Sequence, residues 1–228
     1  MMAVCKEWIS SGKPEDFVRA ARHYERAAQI IISRMVGGLI GGVKLGLSEV
    51  GTPLTVKSYS VPLSSTLLQQ LNQRLFLLYT DKVRLARNLL QTVIRNWYAR
   101  ETNITQSFRS LHGLALAAAE AVLNEDLDNL GACVGNYWQL KKCVASGGEP
   151  LMVTNLMCSL GVHCSGMSLA GAGGGGYMYA IKKHCQPLPD DLELCGLAPD
   201  HVEVDCEGLQ VWVDGTEVFS AGQQQEIL

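Results

Sequence analysis

Ser168-Leu-Ala-Gly-Ala-Gly-Gly-Gly-Gly-Tyr-Met-Tyr-Ala180 is the stretch on which the fold turns. Gly171 to Gly176 holds five glycines and Ala172, with an apolar approach before it and the alternating Tyr177-Met-Tyr-Ala-Ile181 after it. Glycine loses more backbone entropy on ordering than any other residue, so such a run inside a compact domain needs a reason. One reason is geometric: the chain turns with φ > 0 and lets something approach the main chain. The other is chemical: successive unhindered N–H groups form a concave site suited to a phosphate. A flexible linker is the bland alternative, but strand-like apolar residues on both sides argue against it. An ordered turn between two extended segments is therefore expected, with Gly171, Ala172, Gly173, Gly174, Gly175 and Gly176 as candidate phosphate neighbours.

Two nucleotide motifs are tested and set aside. Gly171, Gly173 and Gly176 satisfy a G-x-G-x-x-G spacing, but a dinucleotide site needs strand, loop and then helix, and here the exit reads as a strand. No Gly-Lys-Ser/Thr follows, which removes a phosphate loop of the Walker kind. By itself the stretch marks a possible anion site and nothing finer.

The rest of the composition sets bounds. A chain of 228 residues allows one domain or a two-lobed unit with a proper core. No apolar run approaches the ~20 residues of a membrane helix, and Lys6, Glu7 and Lys13 interrupt any secretory signal, so a cytoplasmic protein without a membrane partner is expected. The eight cysteines include no Cys-x-x-Cys pair, so they read as small buried hydrophobes and no metal site is assigned. The net charge of −3 hides an asymmetry: residues 1–100 carry 14 Lys and Arg against 6 Asp and Glu, and the remainder 5 against 16. Basic residues are not interleaved with aromatics, which argues against nucleic acid. The two halves attract one another, or the basic half meets an anionic small molecule.

Along the chain, Phe17, Ala20, Ala21, Tyr24, Ala27, Ala28 and Ile31 recur at helical spacing over residues 1–36. Glycines then punctuate residues 37–53, and Leu54–Val61 alternates as a strand does. The continuous apolar run within Arg74-Leu-Phe-Leu-Leu-Tyr-Thr80 predicts a strand buried on both faces. From Asp81 to Arg100 the spacing predicts a helix, with Leu85, Leu89, Val93 and Trp97 as its stripe and Ala86, Leu90, Ile94 and Tyr98 widening it. Lys82 and Arg84 stand where strand meets helix, a place that often receives anions; a solvated face is their ordinary explanation. Helices are predicted over Ile104–Leu123, with an alanine-rich run for close packing, over Leu127–Val144, and over Leu151–Leu160. His201–Cys206 and Leu209–Val213 read as closing strands.

Three of these segments, in order, resemble one family. Leu78-Tyr-Thr-Asp-Lys-Val-Arg-Leu-Ala-Arg-Asn-Leu-Leu-Gln91, Asn136-Tyr-Trp-Gln-Leu-Lys-Lys142 and Ser168–Tyr177 are similar to the C-terminal half of L-fucose kinases, in the sugar branch of the GHMP kinases. The resemblance implies an α+β fold: a ferredoxin-like GHMP kinase C-terminal domain with added helices. The expected division is a helical segment of unassigned origin (1–36), a strand-rich remnant of the N-terminal kinase domain (37–80) and the C-terminal domain (81–228). The resemblance also implies ATP and Mg2+ as cofactors, phosphorylation of the L-fucose anomeric hydroxyl in GDP-fucose salvage, and a phosphate or substrate role for Gly171–Gly176, to which Lys82 and Arg84 add candidate charge from their place between strand and helix.

The departures are as specific as the matches. The family's Pro-x-x-x-Gly-Leu-Gly-Ser-Ser nucleotide loop is absent, and Ile31-Ile-Ser-Arg-Met35 stands where the family has its aspartate-bearing Gly-Gly-Gly-Trp-Gln-Asp-Gln stretch. No catalytic residue is assigned for that reason. Asp81 replaces a glycine of the family's Tyr-Thr-Gly-Lys-Thr-Arg and would repel a phosphate unless Mg2+ or Lys82 compensates. The expectation is a kinase region inactive without the N-terminal kinase domain as its partner. The alternative is a non-catalytic sugar- or nucleotide-binding or regulatory module derived from such a kinase.

Overall fold

The computed structural model describes residues 41–49, 55–83, 86–99, 101–144, 149–170, 175–188, 197–208, 210–213 and 216–220. They fall into two compact units, Met1–Val61 with Asp205–Leu228, and Pro62–Val204. The helix expected over 1–36 lies outside the described residues.

In the first unit, β1 (Val43–Glu49) pairs antiparallel with β2 (Thr55–Val61), from Val43 opposite Val61 to Glu49 opposite Thr55. The expected strand at 54–61 is β2. Gly42 donates its N–H to the Asp205 carbonyl (2.6 Å), and the Lys44 ammonium donates to the Gly41 carbonyl. Near the chain end, β7 (Gln210–Val213) and β8 (Thr216–Ser220) form a separate two-stranded ladder.

The second unit is built on one antiparallel sheet. Its strands β3 (Leu75–Val83), β4 (Cys164–Leu169), β5 (Gly175–Lys182) and β6 (Pro199–His201) lie in the order β4-β5-β3-β6. Counted from β3 as the first strand, the order is 4-1-3-2, the ferredoxin-like arrangement. Five helices complete the unit: α1 (Ser65–Arg74), α2 (Ala86–Tyr98), α3 (Thr102–Leu123), α4 (Leu127–Val144) and α5 (Leu151–Leu160). The expected α+β class is what the structure has.

The core lies between the sheet and helices α4 and α5. Phe76, Leu78, Leu169, Met178 and Ala180 from the strands meet Trp138, Val153, Leu156 and Leu160 from the helices. The Trp138 indole N–H, which needs a partner once buried, donates to Glu149 Oε1 at 2.9 Å. At one point α4 touches β4 without side chains between them: a Cβ on Gly166 would meet the Gly131 backbone, and one on Gly131 would meet Ser165.

Several sequence expectations change here. The strand at 74–80 starts at Leu75 and runs to Val83, and it is buried on one face only. Phe76, Leu78 and Thr80 are buried, Tyr79 is exposed, and Leu75 and Leu77 lie between. Helices α4 and α5 cover the face that carries Phe76 and Leu78, whereas Tyr79 on the other face is exposed. The helix expected from Asp81 begins at Ala86, and its widening row reaches the surface, with Ile94 and Tyr98 exposed. Of the residues expected to form a strand at 201–206, only His201 does. Among described cysteines, Cys133 and Cys164 are buried, but Cys143, Cys158, Cys185 and Cys206 are exposed.

Candidate functional site

The glycine run connects β4 to β5. Ala170 donates its N–H to the Tyr177 carbonyl (2.8 Å), closing the hairpin at its base. Gly171, Ala172, Gly173 and Gly174 lie outside the described residues; Gly175 and Gly176 open β5. Gly176 has φ +85°, a left-handed conformation that glycine adopts without the Cβ penalty.

Beside this hairpin, β3 carries two residues too many. Tyr79 stands opposite Tyr177 and Val83 opposite Gly175, so Thr80, Asp81 and Lys82 together face the single residue Gly176. Such bulges re-aim a strand and are over-represented next to functional sites. One side chain ties the bulge to the turn. The Thr80 hydroxyl, fully buried, donates to the Gly176 carbonyl at 2.8 Å. The register thus brings the backbone of Lys82 alongside Gly175 and Gly176. Arg84 lies outside the described residues.

The outer face beside the turn is aromatic. Tyr79 and Tyr177 form a cross-strand pair with ring centroids 5.1 Å apart and planes tilted by 52°, each residue 44% exposed. A cation arrives from α4. Lys141 Nζ lies 3.4 Å from the Leu169 carbonyl and stacks over the rings of Tyr137 (5.3 Å) and Trp138 (5.7 Å). Helix α4 packs on the Leu78 and Met178 face, so Lys141 reaches the end of β4 from the side of the sheet opposite the tyrosine pair. Burial pushes the Tyr179 phenol up, with the Ser168 hydroxyl partly offsetting it.

A second polar cluster occupies the other end of β4 and β5. Arg74 pairs with Asp128, whose Oδ1 also accepts from Ser165 Oγ at 2.8 Å. The Arg74 guanidinium first, then the Ser165 hydroxyl, hold this carboxyl below its ordinary value. The cluster borders a shallow depression of about 400 Å³ shared by Lys183, His184 and Gln186. Its hydrogen bonds join α1, α4 and β4, a structural role.

No family model matches the chain. It is 29% identical over 170 residues to the bifunctional fucokinase/GDP-fucose pyrophosphorylase of Arabidopsis thaliana, covering 75% of this chain and 16% of that protein. It is 28% identical over 160 residues to the L-fucokinase/L-fucose-1-P guanylyltransferase of Bacteroides fragilis, covering 66% and 16%. The chain resembles a fucokinase region. Two solved structures carry the same fold. One is L. major mevalonate kinase in complex with R-mevalonate, at 17% identity and TM-score 0.51, covering 64% of this chain and 41% of that one. The other is the Lin0012 protein of Listeria innocua, at 12% identity and TM-score 0.52, covering 63% and 41%. The fold is thus of the GHMP kinase C-terminal type. The fucokinase-like region spans only about one sixth of the curated relatives it matches, 16% of each.

Sequence reasoning singled out the turn and Lys82 but not the residues that join them. Thr80 carries a signal that a sequence can show, a lone hydroxyl closing an apolar strand. Lys141 stood in a motif without a role. The Tyr79–Tyr177 pairing depends on the register of the β3–β5 ladder leading up to the bulge, which no local pattern encodes. No helix of the described residues is long and apolar enough to cross a membrane.

Proposed function

We propose that this fucokinase-like region supplies the sugar- and phosphate-facing side of an ATP-dependent kinase that converts L-fucose to L-fucose 1-phosphate. The observation that supports this reading best is the β3 bulge held to Gly176, the last residue of the glycine run, by the buried Thr80 hydroxyl. Phosphoryl transfer is mostly positioning plus stabilisation of charge on the moving group. Main-chain amides of Gly171–Gly176 hold phosphate oxygens, and Lys82 and Arg84 supply the balancing charge. ATP and Mg2+ are the cofactors of this reading, and a glycine run held at Gly176 by a buried hydrogen bond fits a phosphate group. Asp81, set in the bulge, requires Lys82 or the cation beside it. The protein that contains this region acts in the cytoplasm, in GDP-fucose salvage, together with an N-terminal kinase domain.

The attacking hydroxyl needs a carboxylate base or close cationic help, and the chain has no counterpart of the family's aspartate stretch. Alone, the 228-residue chain is expected to bind without turning over. The test combines a coupled assay for ADP release with amide NMR. Titration with L-fucose 1-phosphate should shift the Gly175 and Gly176 resonances, while L-fucose with Mg-ATP yields no product. Unshifted resonances would overturn the phosphate site, and turnover free of contaminating kinase would overturn the division of labour. The motif gaps also favour a second reading, a non-catalytic sugar- or nucleotide-binding module. Sugar-phosphate binding that persists while the chain, joined with a fucokinase N-terminal domain, still yields no product supports that alternative.

A further inference from the structure

We propose that Tyr79 and Tyr177 form the platform on which the sugar ring lies, which builds on the kinase reading and assigns the ring its own binding surface. The bland explanation for this pair is a cross-strand contact that steadies the sheet. Steadying alone leaves open why both tyrosines stay 44% exposed beside Gly176, while their neighbours on the opposite face, Leu78 and Met178, are completely buried. The pair offers solvent an apolar surface edged by two phenolic hydroxyls, each able to donate and accept.

Three features select a sugar over a nucleobase. First comes distance along the chain: Tyr177 follows Gly176 directly, and one residue of strand spans only about 3.3 Å. A group held at the turn therefore has these rings as its immediate neighbours. In a sugar 1-phosphate the ring is bonded straight to the phosphate oxygen, whereas in ATP two further phosphates and a ribose separate the base from the transferred group. Second comes shape: ring planes tilted by 52° make a shallow trough, not the flat slot that a purine stacks in. A pyranose presents C–H groups on one face and hydroxyls at its rim, and a 6-deoxy sugar adds a methyl group to the apolar part. Third comes rigidity. Thr80, next to Tyr79 in sequence, is locked to the carbonyl of Gly176, next to Tyr177. The two rings are thus held relative to the turn by a buried bond, which limits the ordering cost of binding.

Saturation-transfer NMR on the 228-residue chain tests the platform, with L-fucose 1-phosphate and ADP as separate probes. The fucose ring protons and methyl group should receive saturation, and the adenine protons should not. Tyr177→Ala and Tyr79→Ala should each weaken the sugar phosphate by about tenfold or more. Tyr177→Phe should keep most of the affinity. Tyr177→Leu, which suits a strand and retains apolar bulk, should lose it while circular dichroism stays native. Sugar-phosphate affinity within about twofold of the parent in the folded Leu variant would overturn the platform while leaving the kinase reading intact. Adenine saturation lost on Tyr177→Leu would reassign the pair to the nucleotide. Absence of sugar-phosphate binding to the unaltered chain would remove the kinase reading and the platform with it.

Discussion

At the residue scale, Asp128 gives the protein a definite response to acid. Its carboxylate is stabilised in the folded state by Arg74 and Ser165, so its folded pKa lies below its unfolded one. A depressed carboxylate contributes stability that is complete above the unfolded value, about 3.9, and is lost as pH falls through the folded value. The Asp128 side chain is 65% exposed, which keeps the contribution below about 1 kcal/mol. Asp128→Asn should therefore lower the urea midpoint slightly at neutral pH, and the gap from the parent should close as both are titrated below about pH 3. A gap that widened in acid would show that Asp128 is held in another way.

At the scale of elements, the contact between α4 and β4 has no slack. Gly131 and Gly166 touch through backbone, whereas Gly113 in α3 has open space around its Cβ position. The same substitution should then act in opposite directions. Gly166→Ala forces helix from strand and should cost about 1–3 kcal/mol. Gly113→Ala meets nothing and should stabilise α3 by about 0.5–1 kcal/mol. Equilibrium urea denaturation measures both, and equal effects would mean that the contact yields easily. Helices α3, α4 and α5 were legible because each carries a long apolar period bounded by polar or glycine residues. Helix α1 was missed, although Ser64 announces it by accepting the Leu67 N–H at 3.0 Å and Leu67 and Leu71 are buried one turn apart. A ten-residue segment of leucines and glutamines has weak contrast, and its packing decides it.

For the whole molecule, thiol chemistry reports the core directly. Burial pushes the Cys164 thiol up to about 11 and raises that of Cys133 too, whereas Cys143, Cys158, Cys185 and Cys206 lie on the surface. In native buffer near neutral pH, iodoacetamide followed by peptide mass spectrometry should label those four, leaving Cys133 and Cys164 for urea to expose. Labelling of Cys164 at the surface rate would contradict the packing of β4 into the core. The sequence was misleading here because scattered cysteines carry no periodicity: chemistry alone suggests burial, and only the path of the chain decides it. The same holds for the site. The glycine turn announced itself by composition, but its neighbours come from β3 and α4, separated from it by many residues and joined only through register and packing.

The bare contact between Gly131 and Gly166 also fixes how α4 can move. Side-chain interfaces adjust by changing rotamers; backbone against backbone has none to change. Helix α4 is therefore pinned to β4 at Gly131 and to the core at the buried Trp138, and it carries Lys141 to the Leu169 carbonyl as a fixed arm. A group bound beside Leu169 would meet a cation already set in place.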